Sequence, residues 1–410
     1  MSQPLPSLRM NLEFMPSPVE DRPGLLIRDS YGYSDAVLII PPPLVSCLGF
    51  FDGQQSDLDL KAMLVRLTGE LDVAPIVDQL RDTLSEAGFL NDKTYLNLKE
   101  EAEQGFRQSA LREASHAGTA YPDSLDELKA TLASYLNPAD PEVPSAMLST
   151  AESPIAIAAP HVSPFGGWQT YGAAYSTLGE EHRDKTFVIL GTSHYGQANR
   201  FGLTRKPFIT PLGTARPDLT LINELANEPA ALMEDYCHAI EHSIEFQILF
   251  LQHLYGPEIR IVPLLCGSFA HSILKGGLPE DDDSVNRFFN RLGNIGAREG
   301  KKVLWILGID MAHMGARYGD EDPAEANRGY MATVESRDRE RIDRMNEGDS
   351  RGFWQLVQQN QDDLKWCGSS PVYTFLKAVP EARGTLRAYQ QWNIDEKSVV
   401  SFAALTFRAN

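Results

Sequence analysis

Three apolar runs in this chain each lead into a histidine, and this repeated pattern limits the fold more than any other feature of the sequence. The runs occupy residues 155–161, 187–194 and 303–313. Short, nearly continuous apolar runs separated by amphipathic stretches are typical of parallel strands that helices cover on both faces. The sequence therefore predicts an α/β fold with a mostly parallel central sheet.

The histidines that end these runs, His161, His194 and His313, are predicted to lie near one another. In open sheets of this kind, ligands bind beyond the carboxyl ends of the strands. Imidazole suits zinc, copper, iron and nickel. A single histidine after a strand is more often a hydrogen-bonded loop residue or a proton carrier. Three of the nine histidines at the same kind of position favour a metal site instead.

Composition excludes several classes of function. The chain has 410 residues, more than one core usually serves, so two domains are expected. The formal charge of −19 repels nucleic acid and anionic membranes. No apolar segment approaches the roughly 20 residues that span a bilayer, and the start lacks the features of a secretion signal. We therefore expect a cytoplasmic protein with no nucleic-acid or membrane partner.

The four cysteines are far apart and show no C-x-x-C spacing. This spacing indicates neither a disulfide framework nor a structural zinc knuckle. Any functional cysteine is therefore expected to act singly.

Residues 1–104 are predicted to form a small α+β domain. A strand is predicted at 25–29, and helical segments follow at 42–51, 60–67 and 73–87. Ser56 offers an N-cap for the second of these helices. Phe89-Leu-Asn-Asp is predicted to be a hairpin turn, and the charged stretch 98–105 is predicted to be a solvated linker.

Three helices and a small β wing would make this domain winged-helix-like. Its layout and its Phe-Phe-Asp-Gly and Gly-Phe-Leu segments resemble the PqqD-like winged-helix modules, which bind leader peptides beside radical enzymes. The resemblance implies a peptide or partner at this domain. A plain structural appendage is the alternative. A winged helix without basic residues on its third helix gives no support to DNA binding.

The remaining residues, 105–410, are predicted to be one α/β domain, with a turn-rich connection at 138–144. Five short motifs lie along it in a fixed order: Ala159-Pro-His161, Gly191-Thr-Ser-His194, Glu241-His-Ser-Ile-Glu245, Asp310-Met-Ala-His313-Met-Gly315, and Cys367-Gly368 with Pro371. In order and spacing they resemble the Memo family, also called AmmeMemoRadiSam system protein B, over about residues 115–410.

The resemblance implies a fold similar to class III extradiol dioxygenases and a redox-active mononuclear metal held by two histidines and a cysteine. The metal ligands would be His161, His194 and Cys367. The catalytic candidates beside them would be Asp310, His313, Glu241 and His242. Iron(II) is the first expectation for the metal, with copper and then zinc as alternatives. A radical-SAM protein and an AMMECR-type protein are the partners that the resemblance implies.

The chemistry of these residue types agrees with that assignment. Two imidazoles and one anionic ligand leave open positions on an iron centre, and a divalent cation lowers the pKa of a coordinating thiol. The alternative for Cys367 is a buried, inert thiol. His313 could act as general acid or base. Asp310 could fix the tautomer of His313 or cap a following helix.

The chain departs from the pattern of the animal family members at two places. Tyr195 stands where animal members carry a second histidine, and Ser369-Ser370 stands where they carry Arg-His. The substrate of other family members should therefore not be assigned to this chain. The dioxygenases use a carboxylate where this chain has Cys367, so cleavage of catechol rings is doubtful. A thiolate changes the redox potential and can itself be oxidised.

Two other functions remain open. His238-Ala-Ile-Glu241-His242 matches the H-x-x-E-H pattern of inverted zinc hydrolases, in which two histidines bind zinc and the glutamate activates water. Alternatively, the domain is a binding scaffold that retains a metal pocket, because fold does not decide function. Metal-dependent turnover would separate an enzyme from a scaffold.

Overall fold

The computed structural model describes residues 4–136 and 153–409. The chain divides into two compact units, Met1–Ser109 and Ala110–Asn410. The turn-rich connection predicted at 138–144 lies outside the described residues. Within the described ranges, no helix combines the length and the apolar character that crossing a membrane requires.

The N-terminal unit has a three-stranded antiparallel sheet that precedes its longer helices along the chain. Ser56 caps the second helix, and its side chain and that of Asp59 form a reciprocal capping box. The elements are β1 (Leu12–Pro16), β2 (Leu25–Asp29), β3 (Val37–Ile40), α1 (Pro42–Val45), α2 (Asp57–Thr68), α3 (Ala74–Glu86) and α4 (Lys93–Gln108).

Two local predictions for this unit were wrong. The expected hairpin turn at 89–92 leads into a helix, because the Asp92 side chain accepts the Tyr95 N–H and caps α4. The expected linker at 98–105 is the middle of α4. Its charges pair along the helix, with Glu103 contacting both Lys99 and Arg107, and such pairs stabilise an exposed helix.

The second unit contains the large sheet and most of the helices. Its strands are β4 (Ala156–Ala159), β5 (Thr186–Thr192), β6 (Phe201–Leu203), β7 (Phe208–Thr210), β8 (Gly213–Pro217), β9 (Ala231–Met233), β10 (Arg260–Cys266), β11 (Val303–Gly308), β12 (His313–Gly315), β13 (Ala382–Asp395) and β14 (Ser398–Ala409). Its helices are α5 (Leu125–Leu136), α6 (Pro164–Tyr175), α7 (Leu219–Leu225), α8 (Cys237–Ile240), α9 (Glu245–Tyr255), α10 (Ala270–Lys275), α11 (Asp283–Glu299), α12 (Met331–Glu347), α13 (Ser350–Gln358) and α14 (Ser369–Ala378).

Four parallel strands form the centre of this sheet, in the order β4, β11, β5 and β10. The antiparallel strand β14 pairs with β4 on one side, and β6 pairs antiparallel with β10 on the other. The predicted fold class is therefore confirmed, with a parallel centre and antiparallel flanks. The first, second and third apolar runs of the sequence form β4, β5 and β11.

Helices cover both faces of the sheet. Along β11, Val303, Trp305 and Leu307 belong to one hydrophobic core, whereas Leu304 and Ile306 belong to another. This alternation places successive side chains on opposite faces of the strand. Residues of α11 to α14 pack into the first core, and residues of α5, α6 and α9 pack into the second. Burial on both faces explains why these strands read as continuous apolar runs.

Candidate metal centre

His161 and His194 lie together at the carboxyl edge of the sheet. His161 follows β4 and is buried, whereas the side chain of His194, which follows β5, is 27% exposed. The centroids of the two rings are 5.0 Å apart. The structure thus brings two of the sequence-predicted ligands to one point, and His194 lies on its solvent side.

A third imidazole comes from His242, on the loop between α8 and α9. Its ring centroid is 5.2 Å from that of His161 and 5.0 Å from that of His194. The ligand nitrogens of the three residues all lie within 4.8 Å of one another, a spacing at which they could hold a metal ion. We call His161, His194 and His242 the histidine cluster.

Two strand-end glycines let the His242 loop lie directly on the sheet. A Cβ atom on Gly308 would overlap the Ser243 carbonyl oxygen, and one on Gly191 would come within 2.5 Å of Ser243 Oγ. That hydroxyl donates to the Thr192 carbonyl oxygen at 2.8 Å. Glycine inside a strand often marks such a close backbone approach. The glycines at the ends of β5 and β11 therefore position His242.

The Glu241 carboxylate holds two of the three imidazoles. Its oxygens lie 3.0 Å from His194 Nδ1 and 3.2 Å from His242 Nδ1, and they also accept the backbone N–H groups of both histidines. Burial alone would raise the pKa of Glu241, but His194 and the other donors lower it well below its usual value. Glu241 is therefore a fixed anion that orients the rings.

The orientation of the rings fits a metal ion. His161 Nδ1 lies 2.9 Å from the Gly308 carbonyl oxygen. Glu241 forms a hydrogen bond with His194 Nδ1 and lies near His242 Nδ1. A ring whose Nδ1–H is bound in this way presents the Nε2 lone pair to a metal, and carboxylates or carbonyls in this role are usual at metal sites. Burial, with the charge of His194, lowers the pKa of His161 to about 3, so its lone pair is available at neutral pH.

His194 differs from its neighbours in protonation. Burial opposes its protonation, but the Glu241 carboxylate and the contact with Cys367 raise the pKa of His194 well above its usual value. Burial lowers the pKa of His242 well below its usual value. A metal ion that uses His194 must therefore displace a proton, and its affinity will depend on pH.

A buried ion pair supports the loop that carries Glu241. Arg112 pairs with Glu245, and its guanidinium also donates to the carbonyl oxygens of His238 and Glu241 at 2.7 and 2.8 Å. The Tyr121 hydroxyl donates to the same Glu245 carboxylate. Because the side chains of this pair are completely buried, the loop is held by charge-assisted hydrogen bonds on the side away from the cluster.

Cys367 lies beside the histidine cluster. Its Sγ is 3.2 Å from His161 Nε2, and its carbonyl oxygen accepts the Thr192 hydroxyl at 3.1 Å. A Cβ on the next residue, Gly368, would lie 2.6 Å from the Asp310 carbonyl oxygen, so glycine permits this approach. Burial raises the pKa of the Cys367 thiol, and a hydrogen bond with His194 opposes that rise. The sulfur is placed next to the nitrogen that faces the cluster.

Asp310 and His313 follow β11 at the same edge. The Asp310 carboxylate accepts the His161 backbone N–H at 2.9 Å, and burial raises its pKa to about 6. His313 Nδ1 contacts the carbonyl oxygens of Met311 and Lys365. Backbone carbonyls thus bind Nδ1 of His313, and strand β12 begins where a helix for Asp310 to cap was considered. Burial lowers the pKa of His313 to about 4, so it is neutral at pH 7.

The inverted zinc motif does not form its metal-binding geometry. Helix α8 ends at Ile240, and Glu241 is extended, so His238 and His242 do not share the face of one helix. His238 is buried against the Phe208 ring, and neither of its ring nitrogens has a hydrogen-bond partner among the described residues. This geometry argues against the hydrolase alternative, which needs His238 and His242 on one ion.

Comparison with protein families identifies the chain. The model of the Memo-like protein family matches residues 112–406. This chain belongs to the Memo family. The match spans the second unit, from Arg112 of the buried ion pair to the last strand of the sheet.

Several members of the Memo family are similar to this chain over most of its length. A MEMO1 family protein of Aquifex aeolicus is 27% identical over 393 residues, which cover 93% of this chain and 95% of the relative. One from Thermus thermophilus is 26% identical and covers 77% of this chain and 87% of the relative. One from Archaeoglobus fulgidus is 25% identical, and its entire length matches 73% of this chain. The Aquifex relative therefore also matches much of Met1–Ser109.

Sequence reasoning missed the structural roles of several residues in this Memo family member. His242 was expected on a neighbouring wall, but the structure places it in the cluster itself. Arg112, Tyr121 and Gly308 were not singled out. The signal for Gly308 was present, because a glycine that ends a fully apolar strand indicates close approach of another backbone. No sequence pattern pairs Arg112 with Glu245 across 133 positions.

Proposed function

We propose that this Memo family protein is an iron(II)-dependent redox enzyme, or an accessory protein of such an enzyme, with copper as the alternative metal. The observation that carries the proposal is the histidine cluster, in which ligand nitrogens of His161, His194 and His242 lie within 4.8 Å of one another. Imidazoles suit iron and copper. A redox-active ion bound there would supply one-electron chemistry.

Two ligand sets are compatible with the geometry. His161 and His194 belong to both sets, and the third ligand is either the Cys367 thiolate or His242. We favour Cys367, because its sulfur lies beside His161 Nε2 and an anionic ligand offsets the charge of the ion. In this arrangement His242 would line the site. His313, neutral at pH 7, would accept a proton from a bound substrate.

Metal analysis tests the site directly. Protein purified without oxygen would be loaded with iron(II), copper or zinc, desalted and measured by mass spectrometry of the metal. We expect near-stoichiometric iron or copper in the wild type and its loss in His161→Ala and His194→Ala. His271→Ala is the control, since His271 is exposed and lies away from the cluster.

Two further variants identify the third ligand. If Cys367 binds the metal, Cys367→Ser removes any sulfur-to-metal charge-transfer band, while His242→Ala retains most of the metal. The reverse result would replace the proposed set with the three histidines. If both variants retain the metal, both proposed ligand sets are contradicted. Metal that disappears with His238→Ala would restore the hydrolase that the geometry argues against.

Turnover separates an enzyme from a scaffold. Iron-loaded protein with excess ascorbate would be placed in an oxygen electrode, with and without added phenolic or thiol compounds. We expect oxygen consumption faster than that of the same concentration of free iron. In His313→Ala this consumption should fall while the metal content stays the same. Full metal occupancy with no consumption under any of these conditions would instead support a binding scaffold.

We also propose that a radical-SAM protein and an AMMECR-type protein act with this chain, which rests on the family resemblance alone. A peptide is the proposed ligand of Met1–Ser109. Mixing the purified proteins and measuring a complex by analytical ultracentrifugation tests the first idea. The same measurement with the His161→Ala variant of the full chain would show whether the metal is needed for assembly.

A further inference from the structure

A cavity of about 910 Å³ opens at the amino edge of the large sheet. Its lining includes Ile155 and Lys185, just before β4 and β5, and Lys301, just before β11. These three strands run parallel, and the histidine cluster lies at their other ends. Since β5 has seven residues, the cavity and the cluster are separated by roughly 20 Å along the strand. The cavity is therefore distinct from the candidate metal centre.

Basic side chains surround this cavity in a chain that carries a formal charge of −19. Lys185, Lys301 and Arg408 line it without an ion-pair partner among the described residues. Lys377 also lines it but pairs with Glu280 at 3.0 Å. The acidic lining residues are Glu181 and Glu381. Positive charge is thus concentrated here against the overall composition.

Like charges lie close together around the cavity. Burial lowers the pKa of Lys185. The charge of Lys301 adds to this effect, and the charge of Glu181 opposes it. Lys185 and Lys301, which both line the cavity, therefore repel each other, and an anion between them would relieve that repulsion.

The walls of the cavity are apolar and aromatic. Phe289, Val303 and Trp305 line it together with Ile155 and Val379. The amides of Asn290 and Asn294, from the exposed side of α11, add hydrogen-bonding groups. Ligand sites typically have this size and this mixture of apolar wall and few polar groups. A bare inorganic ion would leave the apolar wall unused.

We propose that this cavity binds a small organic anion, which places an oxyanion group among Lys185, Lys301 and Arg408 and an apolar or aromatic body against Trp305 and Phe289. A carboxylate, a sulfonate or a phosphate ester each fits as the oxyanion, since the lysines recognise charge rather than a fixed geometry. The site is independent of the metal and of the proposed redox function.

Three probes test the two parts of this ligand. Anilinonaphthalene sulfonate carries an aromatic body and an oxyanion, N-phenylnaphthylamine carries the body alone, and inorganic phosphate carries the charge alone. Fluorescence titration of the full chain is expected to show the sulfonate binding with one-to-one stoichiometry and at least about tenfold more tightly than the neutral probe. Phosphate should compete only weakly. Equal affinity for the charged and neutral probes would overturn the proposal.

Matched variants locate the bound probe. Lys301→Glu and Lys185→Glu should weaken sulfonate binding by about tenfold or more and leave the neutral probe unaffected. Lys302→Glu changes the net charge equally, but the side chain does not line the cavity, so it should have little effect. An equal loss in Lys302→Glu would show a general charge effect and overturn the site.

A steric variant provides an independent test. Ala297 lines the cavity from α11, and Ala297→Trp should block both aromatic probes. Asn286→Trp places the same bulk on an exposed position of the same helix outside the lining and should not block them. Metal content should be unchanged in every variant. Sulfonate binding that survives Ala297→Trp would place the probe elsewhere and contradict the proposal.

Discussion

At the residue scale, the Glu241 carboxylate contacts the His194 ring by a hydrogen bond and lies 3.2 Å from the Nδ1 atom of His242. It also accepts three backbone N–H groups, those of His194, His242 and Ser243. A carboxylate that is already fully hydrogen-bonded and held below its usual pKa is a poor general base. The sequence placed Glu241 among the catalytic candidates. Its contacts indicate that it acts through the histidines, as a positioning residue.

Glu241→Gln should therefore weaken metal binding without removing any ligand. The glutamine keeps the shape of the side chain, but its NH₂ group faces a histidine or backbone donor, and the charge that orients the rings is lost. We expect about a 10–100-fold loss in metal affinity. Competition with a chromophoric chelator measures this change.

Glu258→Gln is the control for this variant, because Glu258 is exposed and pairs with the exposed Arg216. It should bind metal like the wild type. Unchanged affinity in Glu241→Gln would show that Gly308 and the other backbone groups suffice to orient the rings.

At the scale of elements, the loop between α8 and α9 depends on glycines in strands that lie far from it in sequence. Gly308 at the end of β11 lies against the Ser243 carbonyl oxygen and the Gln247 side chain. That side chain also donates to the Pro160 carbonyl oxygen at 2.8 Å, just before His161. One helix thus connects two members of the histidine cluster.

Gly308→Ala should displace this loop. The added methyl group overlaps backbone rather than a flexible side chain, so we expect the free energy of unfolding to fall by about 1–3 kcal/mol and His242 to move from the cluster. Denaturant unfolding and crystallography of the variant measure the two effects. Gly105→Ala, where a Cβ meets no other atom within 4 Å, should not destabilise its helix; equal losses in both variants would contradict the argument.

The buried pair of Arg112 and Glu245 should make stability depend on pH. Burial alone would raise the pKa of Glu245, but Arg112 and the other donors lower it overall. Its contribution is therefore complete above the unfolded pKa of about 4.3 and is lost as the pH falls through the lower, folded pKa. Wild type and Glu245→Gln should differ by about 3–5 kcal/mol at pH 7, and the difference should narrow only below about pH 4.3.

Denaturant unfolding followed by tryptophan fluorescence at pH 7, 5 and 3.5 measures this difference. Glu347→Gln removes an exposed partner of Arg344 and should cost at most about 1 kcal/mol at any pH. A gap between wild type and Glu245→Gln that widened on acidification would reverse the sign argued here.

The strands and the two predicted histidines were accessible from sequence because they depend on local pattern. Residues 303–308 are apolar without interruption, and burial on both faces produces that pattern. His242 could not be placed, since its position follows from contacts with Gly191 and Gly308 that lie 51 and 66 positions away. The charged stretch at 98–105 was wrongly predicted to be a linker because it has few large apolar residues. Ion pairs along α4, rather than packing in a core, stabilise the helix there.

At the scale of the whole molecule, the two compact units differ in their tryptophan content and therefore in their fluorescence. All five tryptophans lie in Ala110–Asn410, as do all candidate ligands. Tryptophan fluorescence therefore reports on the unit that holds the candidate metal centre. Met1–Ser109 has a core of its own around Leu60, Val77 and Leu84.

Metal loading should raise the thermal midpoint seen by tryptophan fluorescence. A ligand at 100 times its dissociation constant stabilises the folded state by about 2.7 kcal/mol, so a shift of several degrees is expected. His161→Ala should abolish the shift. Hydrogen exchange of peptides that cover residues 60–86 should not change with metal, and protection there as strong as at residues 241–247 would show that the two units respond together.

The position of β4 in the sheet has a consequence for how the protein is made. This strand, which leads to His161, pairs with β11 on one edge and with β14 on the other. Ser398, where β14 begins, lies about 240 residues after Ala159. At the roughly 5–20 residues per second of ribosomal synthesis, a nascent chain waits about ten to fifty seconds before both neighbours of β4 exist. We therefore expect the ion to be acquired only after translation has passed β14.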